Sequence, residues 1–526
     1  MIKITYKLIL LLSLLAMTVT SFAASEAEYG KVSKAWTLHA DGSQEYRSSM
    51  ELTLFTHTAM NSTYGESFIV YNPDFQTLKI HSSYTRQKDG TIVKTPDNAF
   101  VEVLPRFAAD APAYNQLKEM VVVHTGLELG ATIYLDYSII TKPGYYPALD
   151  INERLQETSP VKECKVSISV PEGTPLACGL YGSPVKAVEE SHDGIKEVHW
   201  TLRNIPASSR EAFQPKNREA SPHLVASTYP SGKAALATLD KRLKESQGYE
   251  SKTFAQFLTD KSGNEQEKVN IIRDHILNNL STCPIPMAMT GYTVRDIDTV
   301  LRSAYGTPLE IAQLLNVMLN AAGIPSEVLA VYPGHLDTDA CGLAAIQTLV
   351  KATVDGKDQY LSASPLTNRG GLDKVVSLSG TSIEIETTPI QIKESRSVAI
   401  SADQAKDGFA ICVLPAISAG IDSWGMSALN SKRSNLFELP SLIREEVTYT
   451  VTPAEGMKLQ TSTQEQVISK PFGKVTRTIT PRGNTIEVVR TIELNKQQFT
   501  PAEYSDVRSL IHEWTNPDNR VLLFSL

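Results

Sequence analysis

The stretch Thr307-Pro308-Leu309-Glu310 opens the most tightly specified element of this 526-residue chain. Thr307 suits a helix N-cap, Pro308 the first helical position, and Glu310 the return acceptor of a capping box. Leu309, Ile311, Leu314, Leu315, Met318, Leu319 and Ala322 follow at three-to-four spacing, which predicts a helix with a buried stripe. Gly323 ends it as a C′ residue. A helix so strongly capped and so apolar requires a core to receive it, and the flanking pattern says what kind of core.

Upstream runs Gly291-Tyr292-Thr293-Val294-Arg295-Asp296-Ile297-Asp298-Thr299-Val300-Leu301, then Tyr305-Gly306; downstream the helix ends in Ala321-Ala322-Gly323-Ile324-Pro325. This frame resembles bacterial transglutaminase-like proteins, whose pattern is roughly G-Y-x-P-R-x-A-x-E-V-L-x-x-R-Y-G-D-C followed by a helix ending A-A-G-I. The resemblance implies a papain/transglutaminase-like α+β core. It also implies a Cys-His-Asp triad, with the cysteine in the first turn of the helix, where free amides and the helix dipole favour a thiolate. Pro308 falls on the cysteine's place. Gln347-Thr348-Leu349-Val350-Lys351-Ala352-Thr353-Val354-Asp355-Gly356-Lys357, then Gln359-Tyr360-Leu361-Ser362, resembles the family's histidine and aspartate strands. Gln347 stands at the histidine's place and Ser362 at the aspartate's. A thiolate, a proton-shuttling imidazole and an orienting carboxylate are what the triad needs, and Pro308, Gln347 and Ser362 provide none of them. The expectation is a degenerate triad.

Lys3 and Lys7 precede an apolar run, and Ser21-Phe22-Ala23 supplies small residues at a cleavage site. A signal peptide over 1–23 is expected, with an exported mature chain. The resemblance points to a Gram-negative periplasm, with cell-surface or secreted placement as alternatives. No other stretch approaches the ~18 apolar residues of a membrane span. A net charge of −8 disfavours a nucleic-acid partner. The five cysteines include Cys164 and Cys178, close enough in sequence to be a candidate disulfide.

From 28 to 205 alternating runs separated by turns such as Asp41-Gly42 and Asp89-Gly90 predict a β-sandwich. This region resembles the domain of unknown function that precedes the core in many exported bacterial proteins. A linker rich in Ser and Pro is expected over 206–232, the core over 233–400, and a small β domain with a terminal helix over 438–526. The helix Pro501 to Trp514 is expected to bury Tyr504, Val507, Leu510 and Ile511. The fold class is therefore multidomain α+β.

For function, the residues favour an exported non-catalytic binding or scaffolding module. Its candidate partners are a peptide or glycan in the old cleft, or an active paralogue, and it uses no cofactor. The alternative is a thiol-dependent amidase, protease or acyltransferase with a relocated site using Cys283, or Cys341 with His335, which reads as an exposed loop histidine. Asp337-Thr338-Asp339 reads as a solvated turn rather than a calcium loop, so no metal is expected.

Overall fold

The computed structural model describes residues 25–208, 211–215, 221–246, 248–361, 373–385 and 389–526. The expected leader at 1–23 lies outside them. The chain divides into two compact units: one built from residues up to 149 with 154–174 and 184–208, the other from 150–153, 175–183 and 209–526.

In the first unit, strands β1 (Ala27–Leu38), β2 (Gln44–Leu54), β3 (Gln76–Arg86), β4 (Ile92–Lys94), β5 (Thr132–Thr141), β6 (Val161–Pro171), β7 (Val188–His192) and β8 (Ile195–Ile205) form one sheet. Their order is β7-β8-β6-β1-β2-β5-β3-β4. The strict alternation of β6 shows why: Val166, Ile168 and Val170 are buried, whereas Lys165, Ser167 and Ser169 face away. A three-stranded sheet of Glu66–Tyr71, Lys118–Val123 and Phe100–Val103 covers part of the inner face. Ile69, Val122 and Leu135 form that core, with Met50, Leu78 and Ile80 packed against it. The result is two layers of sheet, as the alternation predicts. Cys164 is buried on β6 in this unit, while Cys178 lies in the second.

The second unit draws in two excursions of the N-terminal chain that the alternating pattern does not distinguish from its neighbours. Asp150–Arg154 and Ala177–Tyr181 flank His223–Ser227 in a three-stranded sheet. His223–Ser227 lies inside the stretch read as linker, yet every residue of it is buried. Its short apolar run, Leu224-Val225-Ala226, is masked in the sequence by the Ser and Pro around it.

Helices α1 (Gly232–Glu245), α2 (Glu250–Thr259), α3 (Glu265–Asn279), α4 (Ile297–Ser303) and α5 (Pro308–Ala321) follow. Then come β9 (Ser326–Pro333), the one-turn helix α6 (Thr338–Cys341), β10 (Gln347–Val354), β11 (Lys357–Leu361), β12 (Asp373–Ser377) and β13 (Ser382–Ile383), with sheet order β11-β10-β9-β12-β13. Asp355 and Gly356, both at positive φ, make the tight hairpin between β10 and β11. Helix α5 is buried nearly all round, including Ala312, Gln313 and Val317 beyond the expected stripe. Val269 and Ile272 of α3, Ile297 and Val300 of α4, and Val350, Ala352 and Val354 of β10 enclose it. Gln313 survives there because its amide donates to the Leu243 carbonyl at 2.8 Å.

Strands β14 (Ile390–Ile400), β15 (Ile443–Pro453), β16 (Gln466–Lys470), β17 (Gly473–Arg482) and β18 (Thr485–Leu494) make the last large sheet, in the order β14-β15-β18-β17-β16. β14, placed at the end of the core by sequence, instead pairs in parallel with β15. Helix α7 (Tyr504–Thr515) packs on this sheet through Tyr504, Val507, Leu510, Ile511 and Trp514.

Candidate functional site

The N-terminus of α5 is built as its sequence predicts. The Thr307 hydroxyl accepts from the Glu310 amide at 3.3 Å, and the Glu310 carboxylate accepts from the Thr307 amide at 2.9 Å. Gly323, at φ +84°, stops the helix. Glu310 does more than cap. It is fully buried, and the Arg295 backbone amide and Nε both donate to its Oε1 at 3.0 Å, while Arg295 Nη2 donates to Oε2 at 3.0 Å. The same guanidinium donates to the Tyr305 carbonyl at 2.7 Å and lies 4.6 Å over the Tyr305 ring. A buried carboxylate tolerates such a place only when its lone pairs are met by a charged, bidentate partner.

The residues leading up to α5 are likewise engaged in holding backbone. Gly291 and Tyr292 both sit at positive φ, Gly291 O accepts from Arg242 Nη1 at 2.6 Å, and Tyr292 is buried. Asp298 accepts from the amides of Tyr249, Glu250 and Ser251 at 2.8, 3.0 and 2.8 Å, closing the start of α2. Burial works to raise its pKa, but those amides outweigh it and hold the carboxyl below the usual range.

Pro308 occupies the first, exposed position of α5, and Gln347 the first, exposed position of β10, opposite Val331. Asn320 near the end of α5 donates to Ser326 O at 3.0 Å at the start of β9, and the Thr353 amide near the end of β10 donates to Pro325 O at 2.9 Å. Both pins lie at one end of the layer, and α5 packs along β9 and β10. α5 and β10 therefore both begin at the opposite end. Ser362 follows β11 directly and lies outside the described residues.

The residues weighed for a relocated site fall differently. Ser281–Thr282 pairs in parallel with Tyr305–Gly306, and the Cys283 amide donates to Gly306 O at 2.8 Å. Buried Cys283 thus lies beside the approach to α5. Cys341 is fully buried, and burial, followed by the nearby Asp150 and Asp337, pushes its thiol up to about 12. A thiol so raised is a poor nucleophile at neutral pH. His335 is half-buried rather than exposed, edge-on to Tyr181 at 6.0 Å. Asp337 Oδ1 accepts from the Asp339 amide at 3.0 Å, and Asp339 Oδ1 from the Gly232 amide at 2.7 Å, so both carboxylates cap backbone.

Asp150 is the residue that sequence reading missed. Its Oδ2 accepts from the Leu343 and Ala344 amides at 2.7 and 3.1 Å and from the Tyr292 hydroxyl at 3.5 Å, which ties down the loop leading into β10. Oδ1 is buried with no hydrogen bond and lies so close to Gly342 that a Cβ there would meet it at 2.2 Å. Burial, outweighing those three donors, pushes the carboxyl up to about 7. No local pattern marks it, because its partners are some 140 to 190 positions away in sequence.

Two stretches of the chain match known families. Residues 40–209 match the family described as "Domain of Unknown Function with solved-structure structure (DUF3857)", and residues 409–524 match the corresponding DUF3858 family. No curated protein matches the chain. A crystal structure of a "putative protease" from Parabacteroides distasonis is 99% identical, covers 95% of this chain and 99% of its own, and superposes with a TM-score of 0.91. An M1 zinc metallopeptidase from Deinococcus radiodurans matches at 11% identity, covering 38% of this chain and 42% of its own, with a TM-score of 0.20. A "putative cysteine protease" from Cytophaga hutchinsonii matches at 14% identity over 46% of this chain and 90% of its own, with a TM-score of 0.19. Scores as low as these last two do not describe a shared fold. With the Parabacteroides distasonis protein, this chain belongs to the family that carries a DUF3857 domain and a DUF3858 domain.

Proposed function

We propose that the protein is an exported, non-catalytic binding or scaffolding module whose transglutaminase-like core has lost its Cys-His-Asp triad. The observation that carries this reading is the start of α5. Pro308 holds the exposed first position, the Thr307 hydroxyl is engaged by the Glu310 amide, and the Glu310 carboxylate is saturated by Arg295 and Thr307. Gln347 at the head of β10 offers an amide where general-base work needs an imidazole. What remains is an exposed polar end of an α/β layer, suited to hold a peptide, a glycan or a partner protein.

The test is to measure amide hydrolysis and glutamine–lysine cross-linking by the natural chain and by restored variants. The natural protein and Pro308→Cys alone are expected to be inactive, because a cysteine without its base stays mostly a thiol at neutral pH. Only Pro308→Cys with Gln347→His and Ser362→Asp has a chemical route to a reactive thiolate. A second reading, a thiol-dependent amidase, protease or acyltransferase, is favoured by one observation: Cys283 is held beside Gly306, next to the helix start. Turnover by the natural chain, with iodoacetamide labelling of Cys283 and loss of both in Cys283→Ala, would replace the first reading by the second.

A further inference from the structure

The outward face of the eight-stranded sheet carries a trough of about 270 Å³ on β1, β2, β3, β5 and β6. Its floor is low: Ser33, Ser49 and Ser82 lie in one row with Asp136, and Lys165 closes that row at the β6 end. Ser33 pairs directly with Ser49 across β1 and β2, Ser49 with Asp136 across β2 and β5, and Asp136 with Ser82 across β5 and β3. Two residues further along each strand, on the same face, the neighbouring row is tall: Glu163, Lys31, Glu51, Tyr134 and Tyr84 are successive cross-strand partners. A row of three serines and one aspartate beside a row of longer side chains is what makes a groove on an otherwise flat sheet.

The two tyrosines are fixed. Their rings stack at 4.6 Å with an interplanar angle of 10°, and the Arg86 guanidinium lies 5.1 Å over Tyr134. Asp136 is held by Arg47 at 3.0 and 2.7 Å, and Glu163 by Arg203 at 2.9 Å. Among the described residues the side chains of Lys31, Ser33, Ser49, Ser82 and Lys165 make no hydrogen bond or ion pair within the chain. The trough therefore combines a rigid aromatic wall with uncommitted donors and acceptors.

We propose that this trough binds a short stretch of a neutral glycan. The chemistry selects it against other ligands. Lys31 stands between Glu51 and Glu163, so no single-sign field favours an anion or a cation. The central strands are already bonded on both sides, so a peptide cannot add as a strand, and the polar lining offers no apolar pocket for its side chains. Sugar hydroxyls each donate and accept, which suits serine, lysine and carboxylate partners together. Two rings fixed in advance by stacking on each other lose little freedom when sugar C–H groups pack against them. The size lies at the small end of the range for ligand clefts, roughly 300–1,000 Å³, which fits a few sugar rings rather than a large cofactor. This site is distinct from the start of α5 and does not depend on the function proposed for it.

Isothermal titration calorimetry of the full mature chain with maltohexaose, cellohexaose, mannohexaose and chitohexaose tests it. At least one is expected to bind with little dependence on salt. Tyr84→Ala and Ser49→Tyr, the latter filling the floor, are each expected to weaken binding at least about tenfold, roughly 1.4 kcal/mol. Ser33→Tyr serves as the second floor variant should Ser49→Tyr fail to give the parent's circular dichroism spectrum. Phe257→Ala, which removes an exposed ring of α2 in the second unit, is expected to leave binding unchanged. No binding of any of the four sugars overturns the proposal. So does binding that survives both the tyrosine and the floor variants, or that is lost equally in Phe257→Ala. Salt-sensitive binding of heparin with no binding of the neutral sugars also overturns it, and marks the face as an anion site.

Discussion

Glu310→Ala is the sharpest test of the structure around α5. It removes the acceptor of four hydrogen bonds, three of them from Arg295, and leaves a guanidinium with only 16% side-chain exposure facing an empty site. Breaking a buried ion pair by deleting one partner costs about 3–5 kcal/mol, largely because the remaining charge stays desolvated. Arg295 keeps the Tyr305 carbonyl and the contact with the Tyr305 ring, so the expected loss lies at the low end, about 3 kcal/mol. Replacing both members, as Arg295→Met with Glu310→Met, removes the stranded charge and is expected to cost less than Glu310→Ala alone. Of the four tryptophans, Trp36 and Trp200 lie in the first unit and Trp424 and Trp514 in the second. Urea unfolding followed by tryptophan emission in a Trp36→Phe, Trp200→Phe background therefore reports the second unit. A loss below about 1 kcal/mol for Glu310→Ala, or a double variant worse than the single one, would refute the account of a paired buried charge.

Three further outcomes follow from the same unit. Thr307→Ala removes the cap on the Glu310 amide and is expected to lose about 1 kcal/mol, while Thr307→Ser is tolerated, as read from the same urea curves. Asp150 has a folded pKa of about 7, above its ordinary 3.8, so the folded chain holds the proton more tightly. Its contribution is full below about pH 4 and is lost as pH rises through about 7. Asp150→Asn is therefore expected to match the parent near pH 4 and exceed it near pH 8, by up to about 4 kcal/mol for a shift of that size; equal stability at both pH values would sink this reading. Asp298 works in the opposite direction. Its carboxyl is held below 3.8, so its stabilisation is present above that value and lost as pH falls through the lower, folded one. Asp298→Ala should lose about 1–2 kcal/mol at neutral pH, with the difference shrinking in acid; a difference independent of pH would count against the three amide bonds.

Local chemistry determined the elements that could be read in advance. The capping box of Thr307 and Glu310, the stop at Gly323 and the alternation of β6 depend on residues within a turn or a strand of one another, and each is present. The burying face of α7 was equally legible from its spacing. Tertiary structure decided what distance along the chain hides. The parallel partner of β14 lies some fifty residues on, and the strand His223–Ser227 is too short to outweigh its Ser- and Pro-rich flanks. Two excursions of an alternating region leave one unit for the other because strand alternation records which face is buried but not against which sheet. The same limit applies to the sites. The absence of a thiol at Pro308 and of an imidazole at Gln347 is written in the sequence, since it concerns identity alone. The Arg295–Glu310 pair, the raised carboxyl of Asp150 and the serine-floored trough exist only after folding, because desolvation and cross-strand neighbours are properties of the packed chain.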